Sequence, residues 1–178
     1  MTRIVAGAAR GRRLEVPAGL GTRPTSEKVR QAVFNLLGQF FEGGAVLDLY
    51  AGSGALALEA LSRGCERATC LEADRRAAET IRRNAAALGW TERVEVRQGR
   101  VEDLAARLAG GYALAFVDPP YSDGPAAALA LLGPLLAPGG RAVAEHDVKA
   151  PPPGRVGPLA LVDRRTYGGT GISIYRRD

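Results

Sequence analysis

One short stretch of the chain combines an acid, two prolines and an aromatic residue: Asp118, Pro119, Pro120 and Tyr121. It follows the apolar run 112–117, which predicts a buried strand. The prolines donate no N–H and hold φ near about −65°, so their carbonyl groups are rigidly oriented. Asp118 and a proline carbonyl can accept the two hydrogens of an exocyclic NH2 group, and Tyr121 can stack on the planar group that carries it. Taken alone, the stretch fits a proline-rich turn equally well.

A second candidate site lies in a glycine-rich loop between a predicted strand and a predicted helix. Gly52, Gly54 and Ala57 fit the pattern G-x-G-x-x-[G/A]. Glycine lets the chain turn tightly and lets a ligand approach the backbone. Glu72 ends the next predicted strand, where an acid can accept both hydroxyls of a ribose. Dinucleotides and S-adenosylmethionine both bind to sites with these features.

The acid that precedes the loop helps to decide which of these two cofactors the site fits. Asp48 would repel a pyrophosphate lodged in the loop, but it would attract the ammonium group of a methionine moiety. Asp118 favours the same choice, because a dehydrogenase needs no such motif after its fourth strand. We therefore expect S-adenosyl-L-methionine as cofactor and S-adenosyl-L-homocysteine as product. The expected cofactor contacts are Asp48, Tyr50, Gly52, Ser53, Gly54, Glu72, Ala73, Arg100, Val101, Asp118 and, at the start of a helix, Thr25.

Arg100 departs from the pattern that methyltransferases of this type often show. They place Asp or Asn after the third strand to accept the adenine amine, and arginine has no acceptor. We therefore expect backbone groups and Val101 to hold the adenine.

The elements that position these residues alternate between strand and helix from Ala45 onwards. Such alternation predicts a parallel sheet with helices on both faces and right-handed crossovers. The predicted strands are 45–50, 68–71, 94–96, 113–117 and 142–145, and the predicted helices are 55–62, 75–88, 102–108 and 126–136. Segments 159–164 and 171–175 predict an antiparallel hairpin at the sheet edge. The expected fold class is therefore α/β, a Rossmann-like sheet of seven strands.

The first part of the chain is expected to form a separate extension. Residues 1–24 predict a small basic hairpin with strands at 3–7 and 12–16, and residues 25–178 form the methyltransferase domain. Thr25 or Ser26 is expected to cap a helix that continues to Phe40 and ends at Gly43. The 3/4 spacing of its apolar residues predicts one buried face, with Lys28 and Arg30 towards the outer faces.

The positive charge is concentrated in this extension. The chain of 178 residues has a net charge of +5. Its first 40 residues hold seven cations and two anions, while the other 138 hold 17 of each sign. A basic segment on a neutral body is typical of proteins that bind a polyanion, so we expect nucleic acid as the partner rather than a merely solvated basic surface.

Other features limit the function classes. Cys65 and Cys70 lack CxxC spacing and indicate small core residues, and the single histidine, His146, argues against a metal site or a catalytic triad. We expect His146 to be structural. No apolar stretch approaches the length of about 20 residues that spans a membrane, and no signal-peptide pattern is present. We expect no membrane partner and a cytoplasmic location.

These motifs together resemble the RsmD family of S-adenosylmethionine-dependent guanine-N2 methyltransferases of small-subunit ribosomal RNA. The resemblance covers essentially the whole chain. The loop at Gly52 and the stretch from Asp118 to Tyr121 are shared with many methyltransferases. The block from Arg23 to Arg30, which precedes both, is specific to the RsmD family. The matching segments are 3–7 with Arg10-Gly11, Arg23-Pro-Thr-Ser-Glu-Lys-Val-Arg30, 48–54, 118–121, Glu145-His146 and Tyr167-Gly168.

The resemblance implies methyl transfer to the exocyclic N2 of a guanine in 16S rRNA, of the type that modifies guanine 966. The substrate would be bare 16S rRNA, the 30S subunit or an assembly intermediate, and the enzyme a monomer. The guanine would leave its helix and enter the site. The expected catalytic residues are Asp118, Pro119, Pro120 and Tyr121, and the expected RNA contacts are Arg3, Arg10, Arg12, Arg13, Arg23, Lys28 and Arg30.

Three alternatives remain open on the residues alone. An N6-adenine methyltransferase of RNA or DNA would also use Asp118, although 178 residues leave no room for a separate DNA-recognition domain. A protein-amide methyltransferase usually carries Asn at that position and would not explain the basic extension. A non-catalytic RNA-binding module would not need to keep Asp48, Gly52, Gly54 and Asp118.

Overall fold

A computed structural model of the chain describes residues 2–18, 27–120 and 122–178. Ten strands and five α-helices are described. The strands are β1 (Thr2–Arg3), β2 (Arg13–Leu14), β3 (Ala45–Asp48), β4 (Arg67–Glu72), β5 (Val94–Gln98), β6 (Tyr112–Val117), β7 (Leu136–Asp147), β8 (Arg155–Val156), β9 (Leu159–Tyr167) and β10 (Thr170–Arg177). The helices are α1 (Glu27–Leu37), α2 (Ala55–Ser62), α3 (Arg75–Ala87), α4 (Val101–Ala105) and α5 (Ala126–Leu131), with a 3-10 turn at Thr91–Arg93.

Eight of these strands form one sheet in the order β5-β4-β3-β6-β7-β10-β9-β8. The first five are parallel, and β10, β9 and β8 follow as antiparallel neighbours. The chain reverses direction across the sheet between β3 and β6, which lie side by side. In open α/β sheets the crevice at such a switch point, beyond the carboxyl ends of the strands, is the usual ligand site.

The alternation of side chains along the parallel strands divides the core into two layers. On β3, Val46 packs with Phe34, Leu58 and Phe116 on one face of the sheet. Leu47 packs with Leu71, Leu129 and Leu136 on the other face. Asp48 follows Leu47 and therefore shares the face of Val46, beside α1 and α2.

The Rossmann-like fold class is confirmed, with eight strands instead of seven. The additional strand is β8, whose two residues pair with Leu159 and Ala160 of β9 at the sheet edge. A strand this short carries no period-2 pattern, so its sequence offered no signal.

Several predicted helix ends were wrong, among them that of α4, which ends at Ala105 instead of Leu108. Helix α1 ends at Leu37 instead of Phe40, because Gly38 adopts φ +101° and turns the chain. Helix α5 ends at Leu131, and Pro138, expected to stop a helix, lies inside β7. The pairing register of β6 with β7 shifts between Tyr112 and Leu114. Pro138 lies in this irregular part of β7, where its lack of an N–H donor does not interrupt a regular ladder of hydrogen bonds.

None of the described helices is long and apolar enough to cross a membrane.

Candidate active site at the carboxyl end of the sheet

The predicted site residues come together because neighbouring parallel strands end at one edge of the sheet. Asp48 ends β3, Glu72 ends β4, and Asp118 directly follows β6. The register pairs Asp48 with Cys70 of β4 and with Phe116 of β6, so the three acids surround the switch point. Residues far apart in the sequence therefore form one acidic crevice.

Asp48 is the most perturbed group in this crevice. Its side chain is 1% exposed, and its Oδ1 is buried without a hydrogen-bond partner among the described residues. Burial, followed by the nearby charge of Asp118, raises the pKa of Asp48 to about 8. A buried carboxyl with an unsatisfied oxygen is costly, and a cationic or hydrogen-donating ligand would relieve that cost. The donor set therefore fits the ammonium group of a methionine moiety.

Glu72 is held in place by two backbone N–H groups. Its Oε2 accepts a hydrogen bond of 2.8 Å from the Gly52 N–H, and its Oε1 accepts one of 2.9 Å from the Asp74 N–H. Each carboxylate oxygen has a second acceptor position. Glu72 can therefore fix the loop and still accept hydroxyl groups from a ribose.

The two loop glycines are needed for different reasons. Gly52 has φ +56°, and a Cβ there would meet no atom within 4 Å, so a ligand can approach its backbone. Gly54 has φ +81°, and a Cβ there would lie 3.1 Å from Ile81 Cγ2. Gly54 thus allows α2 to pack on α3, whereas Gly52 leaves open space beside Glu72. Between them, the Ser53 carbonyl accepts a 2.9 Å bond from Asn84.

The remaining predicted cofactor contacts surround these residues unequally. Tyr50 is half-buried, and burial followed by the charge of Glu102 raises the pKa of its hydroxyl. Ala73 is exposed, and Val101 is buried at the start of α4. Arg100 is exposed and forms a 3.6 Å ion pair with Glu102, so its side chain lies on the surface.

The Asp-Pro-Pro segment borders a hollow on the β6 and β7 side of the crevice. Pro119 is buried, Asp118 is partly buried and Pro120 is exposed. Tyr121 lies outside the described residues. Apolar side chains from α1, α2, β6, β7 and β10 line the hollow together with two acids. These residues are Val33, Leu56, Phe116, Val117, Val143 and Ile172, with Asp118 and Glu145.

Arg30 is a correction to the predicted RNA surface. It was expected on an outer face of α1, but it is 1% exposed. Its guanidinium donates to Thr2 Oγ1 at 3.1 Å and lies 3.7 Å from Glu59 Oε2, and burial lowers its pKa. The charge of Arg30 is compensated inside the protein, so Arg30 does not belong to the RNA-facing set.

The other described members of that set are on the surface. Arg3, Arg10, Arg12, Arg13 and Lys28 are all exposed. Arg3 forms a 3.5 Å ion pair with Glu27, and Arg12 donates to the Ala87 carbonyl at the end of α3. Arg23 and Thr25 lie outside the described residues.

Sequence reasoning missed the residues that attach the N-terminal segment to the domain. The fully buried Glu59 accepts hydrogen bonds from the Val5 and Ala6 N–H groups at 2.8 and 3.0 Å, and from Arg63 at 2.8 Å. Ser62 Oγ accepts from the Ala9 N–H at 2.9 Å. A lone acid in the otherwise apolar helix α2 was the available signal, since buried charges require partners.

Asn84 extends this attachment to the glycine-rich loop. Its amide accepts from the Glu15 N–H at 2.8 Å and donates to the Glu15 carbonyl at 3.0 Å. The same amide nitrogen donates to the Ser53 carbonyl. A single buried side chain on α3 therefore joins the N-terminal segment to the loop beside Gly52.

Neither the cysteines nor the histidine form part of the site. Cys65 and Cys70 are buried and unpaired, and burial raises the pKa of both thiols. His146 is 3% exposed, with Nε2 2.8 Å from Ser173 Oγ and Nδ1 2.8 Å from the Asp147 carbonyl, which supports a structural role. Within the described ranges, no cluster of acids, cysteines and histidine could hold a metal ion.

Known proteins with similar sequences support this interpretation. Residues 2–176 match the family described as Conserved hypothetical protein 95. The chain is 39% identical over 181 residues to the Bacillus subtilis (strain 168) protein YlbH, which is provisionally named an rRNA methyltransferase, and 98% of each protein is covered. It is 40% identical over 122 residues to Ribosomal RNA small subunit methyltransferase D of Escherichia coli K12, covering 68% of this chain and 61% of that protein.

A solved structure extends the similarity to the whole fold. The Escherichia coli protein YhhF, provisionally named a methyltransferase, has a TM-score of 0.85 and 33% identity, with 99% of this chain and 98% of that chain covered. The expectation of S-adenosylmethionine as cofactor agrees with these methyltransferase relatives and with the donor set around Asp48 and Gly52. The match over nearly the full length shows that the chain belongs to the RsmD family of rRNA methyltransferases.

Proposed function

We propose that the chain transfers a methyl group from S-adenosylmethionine to the exocyclic N2 of a guanine in 16S rRNA, and that this guanine is the one at position 966. The observation that carries the proposal is the junction of two half-sites at the switch point of the sheet. Asp48, Gly52 and Glu72 form the cofactor half, and Asp118 with Pro119 forms the amine-binding half. Membership of an rRNA methyltransferase family supports RNA as the substrate.

The cofactor half fits S-adenosylmethionine through three chemical groups. Asp48 binds the ammonium group, the space beside Gly52 accepts the chain of the methionine moiety, and Glu72 accepts the ribose hydroxyls. The proposed contacts are completed by Tyr50, Ser53, Gly54, Ala73, Arg100, Val101, Asp118 and Thr25. Because Arg100 pairs with Glu102 on the surface, its contribution is that of its backbone. When bound, the cofactor supplies an electrophilic methyl group on a sulfonium and leaves as the thioether S-adenosylhomocysteine.

The protein residues act mainly by orienting the nucleophile. Asp118 and the Pro119 carbonyl accept the two hydrogens of the exocyclic amine, and Tyr121 stacks on the base. These contacts direct the nitrogen lone pair towards the cofactor half of the crevice, so that positioning supplies most of the rate acceleration. The nitrogen becomes acidic as the new N–C bond forms, and its proton leaves late to Asp118 or to water. No histidine base is required, which agrees with the buried position of His146.

The N-terminal segment supplies the RNA contacts. We assign residues 1–24 to an RNA-binding extension and residues 25–178 to the methyltransferase domain. Arg10, Arg12 and Arg13 are exposed, while the backbone around them is held on α2 and α3 by Glu59, Ser62 and Asn84. An anchored basic surface can bind phosphates without the cost of ordering a loop. We propose that the enzyme acts in the cytoplasm as a monomer on 16S rRNA, either bare or within the 30S subunit or an assembly intermediate.

A transfer assay with labelled S-adenosylmethionine tests the substrate class. Bare 16S rRNA, 30S particles and double-stranded DNA of equal nucleotide concentration are incubated with the protein, and the labelled nucleotide is mapped by mass spectrometry. We expect transfer to one guanine of 16S rRNA, bare or in particles, and none to DNA. Transfer to DNA alone, or to an adenine, would replace the proposal by the N6-adenine alternative. Absence of transfer to every substrate would favour the non-catalytic alternative.

A further inference from the structure

The order of the strands separates the crevice into a cofactor side and a substrate side. Asp48 ends β3, Glu72 ends β4 and Arg100 comes shortly after β5, and these three strands lie on one side of the switch point. Asp118 follows β6, on the other side, and β7 is the next strand outward. A side chain near the carboxyl end of β7 is therefore positioned to meet the substrate rather than the cofactor.

Glu145 occupies that position. It lies near the end of β7 and pairs with Ile172 of β10. The register of β6 and β7 pairs Val117 with Ala144, so the next residues along the two strands are Asp118 and Glu145. Both acids line the hollow that Phe116, Val143 and Ile172 share. Among the described residues that line this hollow, two neighbouring carboxylates are the polar groups.

Two adjacent carboxylates match one nucleobase edge better than the others. Guanine presents its N2 amine next to a protonated N1, which gives a continuous row of donors. Adenine and cytosine present their amine next to an unprotonated ring nitrogen, which is an acceptor. An ionised carboxyl accepts hydrogen bonds only, so it binds the guanine edge and is opposed by the acceptor of adenine or cytosine.

We propose that Glu145 is a specificity-determining residue that accepts the N1–H of the target guanine while Asp118 accepts a hydrogen of its N2 amine. The inference rests on the proposed function, because it concerns the base bound in the same site. It assigns the choice of guanine to a residue outside the Asp-Pro-Pro-Tyr stretch. The four residues of that stretch recognise any exocyclic amine, whereas Glu145 reads the neighbouring ring position.

The test compares two bases that carry the same amine. The substrate is an rRNA fragment that contains the mapped target, with either guanine or 2-aminopurine at that position; 2-aminopurine keeps the N2 amine but has no N1–H. We expect wild-type protein to prefer guanine by about 10- to 100-fold in kcat/KM, the range of one good base contact. Glu145→Gln should bring this ratio to within about threefold of unity, because a glutamine can turn either its oxygen or its amide towards N1.

Two controls separate specificity from folding. Glu92→Gln changes an exposed acid just before the start of β5, at the end of that strand far from the crevice. It should leave the ratio of guanine to 2-aminopurine methylation as in wild type. Thermal unfolding and S-adenosylhomocysteine binding by calorimetry should not differ between Glu145→Gln and wild type. A ratio that stays at the wild-type value in Glu145→Gln, or a variant that no longer binds S-adenosylhomocysteine, would overturn the inference.

The outcome for the proposed function is read from the wild-type protein alone. If wild type methylates guanine N2 but the ratio does not respond to Glu145→Gln, only the specificity role fails. If wild type does not methylate guanine at all, the proposed function fails and the role of Glu145 fails with it.

Discussion

At the scale of single residues, Asp118 and Asp48 have separate tasks although both are acids at the same crevice. Asp48 is buried, with an oxygen that no described group satisfies, whereas Asp118 is partly buried and borders the hollow. The charge of Asp118 is the second largest cause of the raised pKa of Asp48, so the two carboxyls interact. An ammonium group bound at Asp48 would satisfy that oxygen.

Replacing Asp118 by alanine tests the division of tasks. We expect kcat for methyl transfer to fall by at least about 100-fold, because the amine is no longer oriented. The affinity for S-adenosylhomocysteine, measured by calorimetry, should change by less than about threefold, since the cofactor contacts lie on β3 and β4. A joint loss of transfer and cofactor affinity would instead mean that Asp118 is mainly a cofactor ligand.

The raised pKa of Asp48 predicts how cofactor binding depends on pH. Below pH of about 8 the carboxyl is largely protonated in the ligand-free chain, whereas binding an ammonium group requires the carboxylate. Binding therefore releases a proton, and the affinity for S-adenosylhomocysteine should rise between about pH 6 and about pH 8, by at most about tenfold per pH unit.

Calorimetry over that pH range, repeated in buffers of different ionisation enthalpy, measures both the affinity and the proton release. Asp48→Asn should bind more weakly and lose the pH dependence attributable to this group. An affinity in the wild type that is constant with pH, without proton release, would contradict the assignment of Asp48.

At the scale of elements, the N-terminal hairpin is packed closely against the rest of the chain. Ile4 and Leu14 are buried in the same core layer as α1 and α2. Gly7 approaches α2 so closely that a Cβ there would lie 1.8 Å from the Ser62 carbonyl oxygen. Asn84 then continues the attachment to the loop beside Gly52.

Removing the Asn84 amide should loosen both connected segments. Asn84 is 2% exposed and makes three hydrogen bonds, so we expect Asn84→Ala to lower the free energy of unfolding by about 2–4 kcal/mol. Urea unfolding measures that loss, and amide hydrogen exchange should speed up in residues 4–15 and at Gly52.

Glu15→Gln is the matched control for this loss. It neutralises the exposed Arg83–Glu15 ion pair but keeps the backbone bonds of Glu15 to Asn84, and it should cost less than about 1 kcal/mol. Equal losses in the two variants, or unchanged exchange in Asn84→Ala, would show that Asn84 does not hold the hairpin.

The sequence predicted the elements better than their ends and their partners. The alternation from Ala45 onwards was sufficient for the parallel sheet, and α2 was predicted to the residue. Period-3.6 and period-2 patterns indicate elements because they report burial of one face. The burial of Arg30 could not be predicted from such patterns. It depends on Glu59, which lies 29 residues further along the chain, and on the tertiary packing that brings the two residues together.

The same limit applied to the site. Asp48, Gly52, Glu72 and Asp118 were recognisable because each lies at or just beyond the end of a strand, and parallel strands end at one edge of the sheet. Asn84 and Glu145 lie inside a helix and a strand, respectively, where side chains usually serve packing. Their relation to the site appears only in the contacts of Asn84 with Ser53 and in the register of β6 with β7.

At the scale of the whole molecule, charge is distributed so that one segment can bind RNA while the rest stays neutral. Replacing Arg10, Arg12 and Arg13 by alanine should weaken binding to 16S rRNA. The magnitude of the negative slope of log K against log salt should fall by about 2–3, because each phosphate contact that is lost no longer releases counterions on binding. A filter-binding titration at several salt concentrations gives the slope.

The control for that experiment replaces three exposed arginines outside the first 40 residues. Arg67, Arg107 and Arg176 carry the same total charge, so their replacement separates a local contact from an effect of net charge. We expect this control to change the slope by less than one unit. Equal salt slopes for the two triple variants would show that the hairpin arginines do not contact the RNA phosphates.

The activity that we propose transfers the methyl group to N2 of guanine. The most direct measurement incubates the protein with 16S rRNA and S-adenosylmethionine carrying a deuterated methyl group, digests the RNA to nucleosides and separates them by liquid chromatography and mass spectrometry. We expect a single deuterated product that co-elutes with N2-methylguanosine and forms at least about 100-fold more slowly with Asp118→Ala. A deuterated N6-methyladenosine, or label on any other atom, would contradict it.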